Sequence, residues 1–270
     1  LVVGGNNLST EVSGVIADDC GCSPGPGSLE KVGTGTLTLS GTNTYTGLTF
    51  VNAGTLLVTG SIAPSASVAV ENGATLGGTG TVPFTTLASG AVLAPGLPTA
   101  LGTLTVNDLL LFCNCTFYDV KVTSTGNDLT VVVPNFAPGI ASLAGAVRVR
   151  SLDNTYRLSS PYTILTAQGG FDSGFGPTQF NSLIVPTGIN GVLSYTATDV
   201  NLTLVSALGQ VTGLNVNQRN VGNALDAAFN TIGNSGNLGG IFSGNVPFNL
   251  SQVSGETATG TQQATFDAMN

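Results

Sequence analysis

The chain has 270 residues, enough for a large core, and 41% of them are hydrophobic against only 7% charged, which excludes a disordered polymer. Six basic residues against fourteen acidic ones leave a net charge of −8, so counterion release from a phosphate backbone has almost nothing to act on and nucleic acid is excluded as a partner. Histidine is absent, and neither a Ser-His-Asp nor a Cys-His arrangement can be built from these residues.

Thirty-eight glycines without a Gly-X-Y period exclude collagen, and apolar runs such as Leu109–Phe112 are too short to cross a bilayer as a helix. Thr, Ser, Asn and Gly must then form most of the surface, a composition suited to an exported protein. The opening Leu1-Val2-Val3-Gly4-Gly5 reads as the interior of a repeat, with neither an initiating Met nor a signal peptide. A processed or trimmed piece of something longer is expected.

Residues 1–34 read as short strands at Val2-Val3, Val12 and Val15-Ile16, broken by a protruding loop from Asp18 to Gly27 whose prolines and glycines forbid a central strand. From 35 to 111 one phrase returns: Gly35-Thr36-Leu37-Thr38-Leu39, Gly54-Thr55-Leu56-Leu57-Val58, Gly73-Ala74-Thr75-Leu76 and Gly90-Ala91-Val92-Leu93. The leading glycines are 54−35 = 19, 73−54 = 19 and 90−73 = 17 residues apart. Units of that size cannot bury an apolar side alone and must stack, which predicts about four coils of a β-solenoid, each advancing the stack by roughly 4.8 Å. Prolines 64, 83, 95 and 98 belong at corners, since proline cannot donate to a ladder.

Between 112 and 206 the period blurs while apolar alternation persists, at Phe117–Val122, Leu129–Val133, Ala146–Val149, Tyr162–Leu165 and Val200–Leu204. Longer, hairpin-like strands are predicted there, closing the open ladder at the end of the stack. After Val205 the pattern changes. Val221, Leu225 and Phe229, with Ala224, Ala228 and Ile232, fall at four-residue steps, predicting a helix with Asn217 as its cap. A Gly/Asn-rich loop over 233–245 and a weak helical tail to Asn270 follow, made marginal by Gly255 and Gly260.

The phrases Gly33–Gly47 and Val51–Val58 resemble the autotransporter-associated β-strand repeat. Ala94-Pro95-Gly96, Leu101–Val106 and Tyr162–Ala167 resemble the C-terminal passenger region that serves that family as a folding nucleus and cap. Asn217–Val221, Ala224-Leu225-Asp226 and Val253–Glu256 resemble the segment leading into the outer-membrane β-barrel of monomeric (type V) autotransporters. The resemblance implies an all-β, right-handed parallel β-helix with repeats over 1–111, further coils and an autochaperone-like cap over 112–206, and a helical linker over 207–270. It also implies a Gram-negative origin, export to the surface or beyond, and a β-barrel translocator of the same precursor as partner. The barrel is absent from these 270 residues, either through proteolytic release or through truncation. No single activity follows, because passengers of this architecture include adhesins, aggregation factors and enzyme carriers.

Few residues suggest chemistry. Asp18 and Asp19 are the only adjacent acids; they could act as paired carboxylates on a glycan or, with loop carbonyls, bind calcium, but a solvated turn explains them. No Gly-Gly-x-Gly-x-Asp array occurs, and no cofactor or metal is expected. Four cysteines depart from the cysteine-poor habit of the family. A four-thiolate zinc site would need Cys20-Gly21-Cys22 to meet Cys113-Asn114-Cys115 across 113−20 = 93 residues, something like 20 Å of stacked coils. In an extended stretch residues i and i+2 share a side, so two local disulfides, Cys20–Cys22 and Cys113–Cys115, are predicted on an oxidising export route. Tyr45, Phe50, Phe84, Phe112, Phe117 and Tyr118 lie inside strand patterns and are expected in the core. The nearly uncharged Thr/Asn flank would allow self-association or contact with host or cell-surface ligands, which points to a non-enzymatic adhesive rod; the alternative is the stalk of an enzyme or toxin whose active domain lies upstream of Leu1.

Overall fold

In Thr36-Leu37-Thr38-Leu39 the alternation of polar and apolar residues buries both leucines and leaves both threonines half-covered, and Thr55–Val58 repeats the pattern. Each inward side chain lands on its counterpart one coil away. Leu37 pairs with Leu56, Leu56 with Leu76, Leu76 with Leu93, Leu93 with Tyr118, and Tyr118 with Val147, forming one unbroken internal column. Full burial of each such side chain contributes about 1.5–3 kcal/mol, which no single coil could gain in isolation.

Columns of this kind make a right-handed parallel β-helix in this computed structural model, which describes residues 1–18, 25–171, 174 and 177–255. Two eight-stranded parallel sheets run the length of the stack: one from Val2–Val3 to Gly170–Phe171, the other from Thr10–Val12 to Ser182–Ile184. The third side begins as isolated bridges joining Thr42 to Ser61 and Ser61 to Thr81, then widens into strands Thr103–Asn107, Leu129–Val133 and Pro161–Ala167.

That widening explains why the repeat fades. Thr36 faces Thr55, Thr55 faces Thr75 and Thr75 faces Val92, at separations of 55−36 = 19, 75−55 = 20 and 92−75 = 17 residues. Counting from leading glycines misses one residue in the middle coil, because Gly54 directly precedes its strand whereas Gly73 stands two residues before Thr75. Later coils lengthen to 117−92 = 25, 146−117 = 29 and 182−146 = 36 residues. The strands expected to be hairpin-like at Phe117–Val122, Leu129–Val133 and Ala146–Val149 remain parallel rungs of the stack.

One hairpin does close the end. Ile189–Tyr195 pairs antiparallel with Asp199–Ser206, which pairs antiparallel with Pro161–Ala167, so the parallel ladder stops there. Helix α1, Val216–Ile232, packs on the far side of that hairpin. Its cap is Asn215 rather than Asn217: Asn215 Oδ1 accepts from the Gln218 amide at 2.9 Å while Gln218 Oε1 accepts from the Asn215 amide at 2.9 Å. Asp226 fastens the helix, accepting from the Leu208 and Gly209 amides at 2.8 and 2.9 Å, and Asn230 bonds both the amide and the carbonyl of Ser206. A second helix, α2, spans Val246–Ser254 behind an Asn245 cap, and a 3₁₀ turn over Gly236–Phe242 wedges Phe242 between Tyr156 and Phe229.

Candidate functional site

Asp18 does the work of a turn former. Its carboxylate accepts from the Gly27 amide (2.7 Å), the Thr46 amide (2.9 Å) and the Thr46 hydroxyl (2.7 Å), and these bonds hold it below the ordinary carboxylate range. It ties Gly27 to Thr46 of the next coil. Asp19 lies outside the described residues, as do Cys20 and Cys22. Among the described residues no three His, Cys, Asp or Glu side chains gather as a metal site.

The predicted Cys113–Cys115 disulfide is corrected by the structure: both thiols are free and exposed. The expectation assumed an extended stretch, but the Thr116 amide and hydroxyl both return to the Cys113 carbonyl, at 3.3 and 2.8 Å, and Cys115 adopts φ 68°. A tight turn of this kind does not set residues i and i+2 on one side as a strand does. The aromatics divide. Tyr45, Phe112 and Tyr118 are core residues, with Phe112, Tyr118 and Phe180 packed ring to ring at 5.2–5.8 Å; Phe50, Phe84 and Phe117 face outward and are partly exposed.

Buried polar groups pin the long coils. Tyr118 Oη donates to the Ile164 carbonyl and shares a hydrogen bond with the Thr130 hydroxyl, and burial pushes its phenol far above its usual range. Lys121 Nζ reaches Asp128 Oδ2 at 2.5 Å and the Pro95 carbonyl at 2.6 Å, while burial holds the Asp128 carboxyl above its ordinary value. A further lysine, Lys31, points inward where alternation places Leu29, and donates to the Val32, Gly33 and Ala53 carbonyls at 2.8, 2.8 and 3.0 Å. Each of these groups is consumed by the coil it ties.

The outer flank of the second sheet is open to solvent. Thr36, Thr55 and Thr75 form an outward row of hydroxyls in register, continued by Val92 and Phe117. Farther along, Arg148 clamps Asp119 through two hydrogen bonds of 2.5 and 2.8 Å and lies 4.1 Å above the Phe117 ring. Beside these, Gly77 and Ala94 floor a shallow cavity of about 190 Å³ between Leu57, Pro98 and Arg150. Sequence patterning points to a Thr/Asn-rich flank but to neither this row nor this groove, which arises where the loop after Gly96 folds onto the flank.

Stacked coils with sealed cores and open flanks define the class: a β-helical repeat rod. The passenger-associated-transport-repeat family matches residues 29–58, which hold two successive rungs of each long sheet. The chain is 36% identical over 156 residues to an "Extracellular serine protease" of Serratia marcescens, covering 56% of this chain and 14% of that protein. It is 36% identical over 98 residues to "Adhesin BmaC autotransporter" of Brucella suis biovar 1 (strain 1330), covering 36% of this chain and 3% of that protein. The chain thus spans a small fraction of the length of these relatives. The chain is thus similar to autotransporter passenger segments carrying these repeats, a class exported across the Gram-negative outer membrane to the cell surface or beyond.

Proposed function

We propose that this passenger segment is a non-enzymatic adhesive rod, displayed at or shed from the cell surface, that mediates adhesion or cell–cell aggregation. The observation that carries the reading is the in-register hydroxyl row Thr36, Thr55 and Thr75 in a chain of which only 7% is charged. Such a face offers donors and acceptors at the strand repeat and little repulsion between copies, so lateral contact can accumulate from many weak bonds. On this reading residues 1–111 supply the repeats, 112–206 the broad coils and autochaperone-like cap, and 207–270 the junction toward the barrel.

The likeness to an "Extracellular serine protease" favours a second reading, in which this segment is the stalk of an enzyme or toxin passenger. No histidine lies within the 270 residues, so a Ser-His-Asp triad would have to come from elsewhere in such a protein. Purified chain incubated with non-aggregating cells separates the two readings. Saturable cell binding or concentration-dependent self-association supports the adhesive rod, and neither being present supports the stalk.

A further inference from the structure

The sequence has six cationic side chains, and five are accounted for. Lys31 is caged by three carbonyls, Lys121 pairs with Asp128, Arg148 clamps Asp119, Arg150 donates to the Pro98 carbonyl at 3.2 Å, and Arg219 stands exposed on α1. The sixth is different. Arg157 lies with its guanidinium carbon 4.2 Å above the Tyr162 ring, and its Nε is buried with no hydrogen-bond partner among the described residues.

A charged donor removed from water without an acceptor is costly, and a fold normally supplies one. Arg157 as a whole is only half-buried, and beyond the buried Nε it lines a cleft. The cleft measures about 620 Å³ and lies between the cap and the C-terminal end of α1, lined by Ser124, Thr125, Ser160, Ile232 and Asn234 beside Arg157. That volume is within the roughly 300–1,000 Å³ of small-ligand sites. The Tyr162 phenol is fixed by donating to the Thr123 carbonyl (2.8 Å) and accepting from the Arg157 amide (2.5 Å), so the stacked guanidinium rests on an immobile platform. Asp153, the nearby acid, is occupied by the Thr155 amide and hydroxyl at 2.9 and 2.7 Å rather than by Arg157.

We propose that this cleft binds an acidic sugar, with the ligand carboxylate on the Arg157 fork and its hydroxyls on the Ser124, Ser160 and Asn234 side of the cleft. A guanidinium matches a carboxylate through paired donors, and stacking on Tyr162 preorganises it. The hydroxyls need partners that both donate and accept, which serine hydroxyls and the Asn234 amide are. Ile232 gives the C–H face of a ring an apolar contact. A fully sulfated or phosphorylated polymer suits the site less well, because it offers one cation, Asp153 stands nearby, and the chain carries −8 overall. The proposal holds equally for an adhesive rod and for a stalk.

Isothermal titration of the 270-residue chain tests it, with trigalacturonate as the acidic probe, maltotriose as its neutral counterpart and sodium sulfate as the bare anion. Saturable binding of trigalacturonate that weakens with salt, exceeds that of both controls and falls roughly tenfold or more in Arg157→Gln is expected; Arg157→Lys keeps the charge but loses the fork, and falls between. Should Arg157→Gln disturb the cap, Ser160→Asp places a negative charge at the exposed rim without touching the stack, and must lower the affinity likewise. Absence of saturable binding, maltotriose or sulfate binding as tightly as trigalacturonate, or unchanged affinity in folded Arg157→Gln would each overturn the proposal.

Discussion

Lys121 and Asp128 meet out of solvent beneath the flank cavity of the second sheet, Nζ to Oδ2 at 2.5 Å, with side chains 4% and 0% exposed. The carboxylate also takes the Gly102 amide at 3.0 Å and the Lys121 amide at 2.9 Å, so one side chain joins two neighbouring coils. Removing one partner strands a buried charge. Asp128→Ala should lower the unfolding free energy by about 3–5 kcal/mol, whereas replacing both partners with apolar residues of similar volume should recover much of that loss. Urea denaturation of the two single variants and the double variant checks it, and strict additivity would contradict the coupling.

Gly78 has φ 124°, and a Cβ built there would stand 1.9 Å from the Val58 carbonyl oxygen one coil away. Gly73 has φ 76° but nothing within 4 Å of its virtual Cβ. Gly73→Ala should therefore cost only the conformational penalty of about 1–2 kcal/mol, while Gly78→Ala adds displacement of a ladder strand and should cost more, about 3 kcal/mol or beyond. Equal losses in thermal unfolding would mean that the coils are not packed this closely.

The Asp18 staple is pH-dependent. Hydrogen bonds from Thr46 and Gly27 lower its pKa below 3.8, so the folded state binds this proton less tightly than the unfolded chain does. Its contribution is present above pH 3.8 and is lost as pH falls through the lower folded value. Amide exchange at Gly27 and Thr46, corrected for intrinsic rates, should rise below that point in the native chain and be fast at all pH values in Asp18→Ala. Protection that survives acid unchanged would remove the staple.

Asp226 holds α1 to the cap. Asp226→Ala should leave the Leu208 and Gly209 amides and the Ser206 hydroxyl without their acceptor, costing about 1–3 kcal/mol locally. Limited proteolysis should then cut near Thr212–Asn215 while the narrow coils stay intact. Cleavage spread evenly along the chain would show instead that the cap and repeats unfold as one unit.

How far the sequence carried depended on whether a coil kept its size. Thr36, Thr55 and Thr75 stand at nearly constant spacing because their coils turn the third corner with a single bridge, so periodicity alone located the stack. Once the third side broadened, each coil took a different number of residues and the long strands looked like hairpins. Nothing in the sequence marks Lys31 as buried, and only the carbonyls converging on it from two coils explain its inward course. Asn215 was passed over for Asn217 because a capping box depends on its partner three residues on, here Gln218. Cys113 and Cys115 were paired on a strand geometry that a turn replaces. Arg157 carried no motif at all; its cleft exists only because the cap and α1 meet there.

The outward threonine row is the surface on which adhesion by this passenger is proposed to depend, and charging it tests that directly. Settling of cells that display the chain through a translocator barrel should be faster than that of barrel-only cells, and Thr36→Glu, Thr55→Glu and Thr75→Glu together should return it to the barrel-only rate at equal surface expression. Displaying cells that settle no faster than the barrel-only control, or a triply charged variant that settles as fast as the native chain, would contradict it.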